Sequence, residues 1–281
     1  MDEWEIDFES ALSDCGIKIS DFRDQESRLS AERVAKLIEH CNYLKARHDF
    51  AITVAENYHP GTFHALGYAM MTSNNLYDAF KRIAQYKKVV SNTCTFRLEE
   101  HADVCKLVLS PYLYKSTNRP VLSRNSIITF IATLIQFARV SSSQNFRPLE
   151  VNFNWSNTEQ NFQFVNDFFV CPVNFGKEEI SFICQTDILK QPLIGGNPLL
   201  TQSHEKMLDD YLSRLDKNDV VQLVKNNIYE MLPSGTPSQN DIAKQIGMSL
   251  RNLQRKLIQQ DSCYRDLLEE TRKKLALEYI T

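Results

Sequence analysis

The sequence lacks any apolar run of the ~20 residues that would cross a bilayer. Its most apolar stretch, Ile127 to Ala138, is too short for that and reads as a buried core helix. It also lacks an excess of positive charge: the formal net charge is -3 over 281 residues. Any surface for a polyanion must therefore be local rather than spread over the chain. No C-x-x-C pair and no Cys–His set at zinc-finger spacing occurs among Cys15, Cys41, Cys94, Cys105, Cys171, Cys184 and Cys263. Met1 to Phe8 holds four acids and no base, so a signal peptide is not expected there. An odd number of thiols without a leader fits a reducing, cytoplasmic compartment. The thiols read as small buried hydrophobes, with a redox sensor as the alternative. G-x-S-x-G, the P-loop, H-E-x-x-H and G-x-G-x-x-G are all absent, so neither a catalytic nor a metal nor a cofactor site is expected.

The composition, 43% hydrophobic and 24% charged, is that of a globular chain and excludes disorder. The length suggests about two domains. Ser30 to Tyr43 has helical spacing, with Ser30 able to cap it. After a break at His59-Pro60-Gly61, Thr62 to Met71 and Asn75 to Val90 read as two more helices. Alternation then takes over: Cys94, Phe96 and Leu98, and later Val104, Leu107 and Leu109, predict a hairpin whose polar tip contains Glu99 and Glu100. Pro120 to Val140 is predicted as a long central helix. Leu149 to Trp155 is predicted as a half-buried strand, Glu159 to Phe169 as a short helix, and Val173 to Ile183 as a strand or pair turning near Gly176. Residues 1–195 thus read as an α+β domain of four or five strands. Pro192, Gly195 and Gly196 mark its end, and residues 196–217 read as a linker with a connecting helix over Ser203 to Leu215. Another helix is predicted from Asp219 to Leu232, opening an all-α region over 218–281.

The most specific pattern lies between Ser238 and Gln260. Ser238 and Asp241 have capping-box spacing. Ile242, Ala243 and Ile246 form an inward face, Gly247 supplies the positive φ of a tight turn, Met248 fills the corner and Ser249 caps the next helix. Two steeply crossing helices need a small residue at their contact, a permissive residue at the turn and an aliphatic anchor beyond it. Ala243, Gly247 and Leu253 meet these needs at helix-turn-helix spacing. Leu250, Leu253 and Leu257 should tie the second helix to the core. The opposite side carries Arg251, Gln254, Arg255 and Ile258 at i, i+3, i+4 and i+7. Arg can pair bidentately with guanine and Gln with adenine. Ser249 to Gln260 contains Arg251, Arg255 and Lys256 and no acid, which is the local basic patch the composition required. The Ser249 end of the helix can receive a phosphate. Lys256 stands where many such motifs place an apolar residue. The other reading of the same spacing is a helical hairpin with a solvated basic face.

These residues, with Ser262, Tyr264, Asp266-Leu267-Leu268, Arg272 and Leu275-Ala276, closely resemble the AraC/XylS family of transcription regulators. The resemblance implies that the second helix of the pair reads bases through Arg251, Gln254 and Arg255. It implies that the helix near Tyr264 starts a linker toward a second such pair. The sequence stops at Thr281 within that linker, so an incomplete DNA-binding domain is expected. Upstream, Pro60-Gly61-Thr62-Phe63, Ala65 to Ala69, Arg147 to Val151 and Phe169 to Gly176 resemble the family's "arabinose-binding-like" N-terminal domain. In the family that domain senses an effector or dimerises. Expected partners are promoter or operator DNA, a small-molecule effector, a second copy of the chain and RNA polymerase, with no membrane. A second functional reading stays open: a dimerising module that acts by protein contacts without binding DNA.

Three further groups carry weaker alternatives. His59 and His64 can be metal ligands or loop and helix-start residues. Arg119, Arg124, Arg139 and Arg147 can anchor an anionic effector or make surface ion pairs. The face of Phe130, Ile131, Leu134, Ile135 and Phe137 can line an apolar pocket or be core. No effector-binding residue is assigned.

Overall fold

A computed structural model describes residues 6–22, 29, 31–44, 49–91, 93–114, 117–142, 146–156, 163–218, 220–259 and 262–280. Ser30, Glu159, Asp219, Gln260 and Thr281, which figure in the expectations above, lie outside these residues. The chain divides into two compact units, Met1–Leu208 and Asp209–Thr281.

The first unit is mixed α/β. Its helices are α1 (Phe8–Asp14), α2 (Ala31–Leu44), α3 (Phe50–Glu56), α4 (His64–Met71), α5 (Leu76–Val90), α6 (Arg124–Ser141), α7 (Gln163–Phe169) and α8 (Thr186–Leu189), and α9 (Pro198–Asn218) begins in it. Strands β1 (Cys94–Glu100), β2 (Val104–Pro111), β3 (Glu150–Asn152), β4 (Val173–Asn174) and β5 (Ile180–Gln185) form one sheet in the order β1-β2-β5-β3-β4. All its pairings are antiparallel except β3 with β4. Phe96, Leu107, Leu109, Val151, Ile180 and Phe182 are buried, and all lie on one face of the sheet by register. Phe80 of α5 meets Phe182 edge-on at 5.8 Å and Phe137 of α6 at 6.4 Å, so both helices lie on that face. Ile131, Leu134, Ile135 and Phe137 are at most 1% exposed and Phe130 packs on Phe96. The apolar face of α6 is therefore core.

Several boundaries differ from the sequence pattern, each for a local reason. The central helix starts at Arg124 rather than Pro120, because the Ser123 hydroxyl accepts from Ser126 N at 3.1 Å and caps it there. The residues before it instead bond back to Tyr112 and Tyr114: Val121 N donates to Tyr112 O, and Tyr114 N to Arg119 O. The helix expected from Thr62 starts at His64, after a 3-10 turn over Pro60–Phe63. In that turn His59 Nδ1 accepts from Gly61 N at 3.1 Å, which gives His59 a capping role. A Cβ at Gly67 would sit 1.9 Å from Pro60 O, so only glycine fits where this turn crosses α4.

The strand expected over Leu149 to Trp155 is regular only at Glu150–Asn152, and its alternation fails at both ends. Leu149 is exposed, whereas Asn152 is buried. Burying Asn152 is tolerated because its carboxamide donates to Glu150 and Ser181 and accepts from Asn174 at 2.9 Å. Glu99 and Glu100 belong to the end of β1 rather than to the connecting tip, and Glu100 is solvent-exposed as expected. Glu99 accepts from Arg97, and Glu100 from Tyr77 Oη at 2.8 Å and from Lys190.

Five of the seven thiols are buried and Cys171 is partly so, but Cys263 is exposed, against the expectation of burial throughout. Burial pushes the thiols of Cys41 and Cys171 up to about 11, which keeps them protonated and unreactive. The segment carrying Pro192, Gly195 and Gly196 is laid against the first unit. Leu193 N donates to Asn74 O and Asn197 N to Thr72 O. Thr201 of α9 continues the seam, donating to Thr72 O at 2.6 Å, and Glu205 accepts from Arg82 Nε at 2.7 Å.

The second unit is helical among its described residues: α10 (Val220–Met231), α11 (Gln239–Gln245), α12 (Leu250–Gln259) and α13 (Tyr264–Ile280). Val220, Val224 and Ile228 of α10, Ile242 and Ala243 of α11, Leu253 and Leu257 of α12 and Leu267 of α13 share one buried cluster.

Candidate nucleic-acid interface

The geometry of α11 and α12 follows from their ends. Ser238 N donates to Asp241 Oδ2 at 3.0 Å, and Asp241 N donates to Ser238 Oγ at 3.2 Å, closing a capping box that starts α11. The hydroxyl and backbone bonds from Ser238 hold the Asp241 carboxyl below its usual range. Gly247 turns the chain at φ +69°, where its N donates to Lys244 O and Met248 N reaches Ala243 O at 2.8 Å. Ser249 Oγ then accepts from Asn252 N at 3.3 Å and starts α12.

Burial of Leu253 and Leu257 fixes which way α12 faces. Tyr264 Oη ties α13 to Pro237 O at 2.7 Å, and Lys225 pairs with Glu270 at 2.7 Å across α10 and α13. With one side locked, the other must face outward. Arg251, Gln254 and Arg255 are exposed, and Ile258 is 71% exposed. Ser249 is exposed at the helix start and Lys256 is half-buried on the flank. Leu250 departs from its expected role as an anchor: at 37% exposure it sits on the rim, because the first turn of α12 extends past the buried cluster.

The polar atoms on this face are partly organised. Arg255 Nη2 donates to Asn252 Oδ1 at 3.0 Å, and Gln254 Nε2 donates to Gln239 Oε1 at 3.3 Å. Arg251 has no polar partner among the described residues. The sequence pattern missed Asn252 and Gln239. Asn252 stands three residues before Arg255 and was open to an i,i+3 reading. Gln239 is fifteen residues from Gln254, and only the turn brings them together.

Arg139 and Arg124 have neutral partners within the first unit. Arg139 lies over the Phe168 ring at 4.7 Å and donates to the carbonyls of Phe168 at 2.8 Å and Phe169 at 3.1 Å. It serves the open end of α7 rather than a carboxylate or an anion. Burial pulls its guanidinium below the usual arginine range without removing its charge. Arg124 lies over the Trp155 ring at 5.9 Å.

The chain matches the family described as "Arabinose-binding domain of AraC transcription regulator, N-term" over residues 6–193, and it belongs to that family. A curated relative, the ornithine utilization regulator of Pseudomonas aeruginosa, is 23% identical over 219 residues. That alignment takes in 77% of this chain and 62% of the relative, so the chain spans under two thirds of the relative's length. The crystal structure of the transcriptional regulator CdpR from Pseudomonas aeruginosa aligns with 96% of this chain and 83% of its own, at 15% identity and a TM-score of 0.47. No described helix is long and apolar enough to cross a membrane.

Proposed function

We propose that the chain regulates transcription by binding promoter or operator DNA through a helix-turn-helix formed by α11 and α12. In this reading residues 218–281 are an AraC-type DNA-binding domain, residues 196–217 are the connection, and residues 1–195 sense a small-molecule effector or dimerise. The observation that carries it is the outward face of α12, where Arg251, Gln254, Arg255 and Ile258 stand opposite the buried Leu253 and Leu257. Arg251 and Arg255 read guanine edges and Gln254 an adenine. Ile258 makes apolar contact. Ser249 at the helix start and Lys256 on the flank meet phosphates. The family description supports a small-molecule effector as a class and does not fix its identity. Such a protein works in the cytoplasm, does no catalysis and needs no cofactor. Binding shifts a two-state equilibrium only if the effector prefers one state, and contact with RNA polymerase is the natural output.

The test is selection of sites from random duplex DNA. An enriched sequence is expected. Arg251→Ala and Arg255→Ala should each cost ~1–3 kcal/mol of specific binding, with thermal stability unchanged. Unchanged specific affinity in both variants would remove the base-reading role. A second reading, action by protein contact alone, draws on Ile194, Leu199 and Met207, which are 79%, 77% and 60% exposed. It predicts self-association in ultracentrifugation together with no enriched site.

A further inference from the structure

Recognition by a glutamine depends on which end of its carboxamide faces the base. Adenine presents N7 as an acceptor and N6–H as a donor in the major groove, so it needs an amide N–H and an amide oxygen in one fixed order. A free glutamine on a helix surface offers either order, because its terminal torsion has broad two-fold wells. Gln254 is tethered in place, although a partner that is itself a carboxamide leaves the order to the base. Its Nε2 donates to Oε1 of Gln239 at 3.3 Å. Gln239 is the first residue of α11, held there by the capping box at Ser238 and Asp241. The bond uses one of the two Nε2 hydrogens. The other hydrogen and the whole of Oε1 remain, which is the complement adenine requires.

We propose that Gln239 is a positioning residue for base recognition: it tethers the carboxamide of Gln254 and limits its swing, so that α12 holds one free donor and one free acceptor toward a single base. The inference rests on the DNA-binding reading above. It concerns specificity at one base position rather than overall affinity, because Gln239 supplies placement and no added charge. A role in holding α11 alone would leave base preference untouched.

The experiment selects duplex sites with the full chain as wild type, Gln254→Ala, Gln239→Ala and Gln239→Glu, after matching their melting curves. Gln254→Ala should lose preference at one position of the motif and so locate it. Gln239→Ala should lower preference at that same position by about fivefold or more, the size of a good bidentate contact, and leave the other positions unchanged. Gln239→Glu keeps only the acceptor and should retain the preference, while its negative charge weakens binding to all sequences alike. Wild-type selection with an unchanged profile in Gln239→Ala overturns the positioning role alone. So does uniform loss at every position, or loss of the preference in Gln239→Glu. No selection by the wild type overturns the DNA-binding reading and this inference with it.

Discussion

Each of the two units is stabilised internally by different physics. The buried cluster of the second is aliphatic throughout: Val220, Val224, Ile228, Ile242, Ala243, Leu253, Leu257 and Leu267. Thr271, its buried polar side chain among the described residues, is satisfied one turn back, donating to Leu267 O at 2.7 Å. The first unit buries many phenylalanines and, among them, Asn42, Asn125, Asn152, Ser181 and Thr186. Asn42 accepts from Phe50 N eight residues on, and the buried Ser73 and Thr133 bond one turn back, but other partners come from far along the chain. Asn125 donates to Glu39 across 86 residues, and Asn152 to Ser181 across 29. A core of aliphatic side chains depends on volume. A core laced with polar groups depends on each bond being made, because an unmet buried polar group costs more than the bond itself contributes.

The largest effect should come from removing volume in the second unit. Leu253→Ala deletes a fully buried side chain and should cost ~2–5 kcal/mol. Denaturant unfolding followed by hydrogen exchange checks it. Amides of α10 to α13 should lose protection while those of β2 and β5 keep theirs. Loss of protection in the sheet as well would show that the two cores are not independent.

The next effect tests the polar half of the comparison. Arg139→Ala strips the donors from the Phe168 and Phe169 carbonyls and should cost ~1–3 kcal/mol. Arg139→Lys, which keeps one donor and the charge, should cost less. Equal losses in the two variants, read from the same unfolding curves, would assign the effect to packing on the Phe168 ring and not to the carbonyl bonds.

This contrast also explains which features are legible in the amino-acid sequence. The helical pair was legible because its determinants are local: a cap at Ser238, a turn at Gly247, and anchors at Leu253 and Leu257 within one or two turns. The hairpin of β1 and β2 and the turn at Gly176 were legible for the same reason. Residues whose partners are remote were misjudged. Asn152 counted as outward-facing until Glu150, Asn174 and Ser181 surrounded it, and Arg139 counted as a surface or anion-binding residue until α7 placed two carbonyls beside it. At the candidate interface the exposed face of α12 followed from spacing. The bond from Gln254 to Gln239 did not, since nothing in either residue's neighbourhood points to the other.

The smallest effect concerns the cap that starts α11, and it separates charge from shape. The bonds from Ser238 lower the Asp241 carboxyl below its usual range, so the folded state holds the ionised form better than the unfolded chain does. Its contribution is present above the unfolded carboxylate range and is lost as pH falls through the folded value. A carboxylate in the first turn also faces the positive end of the helix dipole. Asp241→Asn keeps an oxygen that can accept from Ser238 N but removes the charge. The wild type should therefore be modestly more stable than the variant at neutral pH, and the two should converge in acid. The group is fully exposed, so salt should shrink the gap as well. Melting curves over a pH series check both trends. A gap that stays constant into acid would assign the stabilisation to geometry shared by carboxylate and carboxamide. Charge would then play no part in starting the helix that carries Gln239.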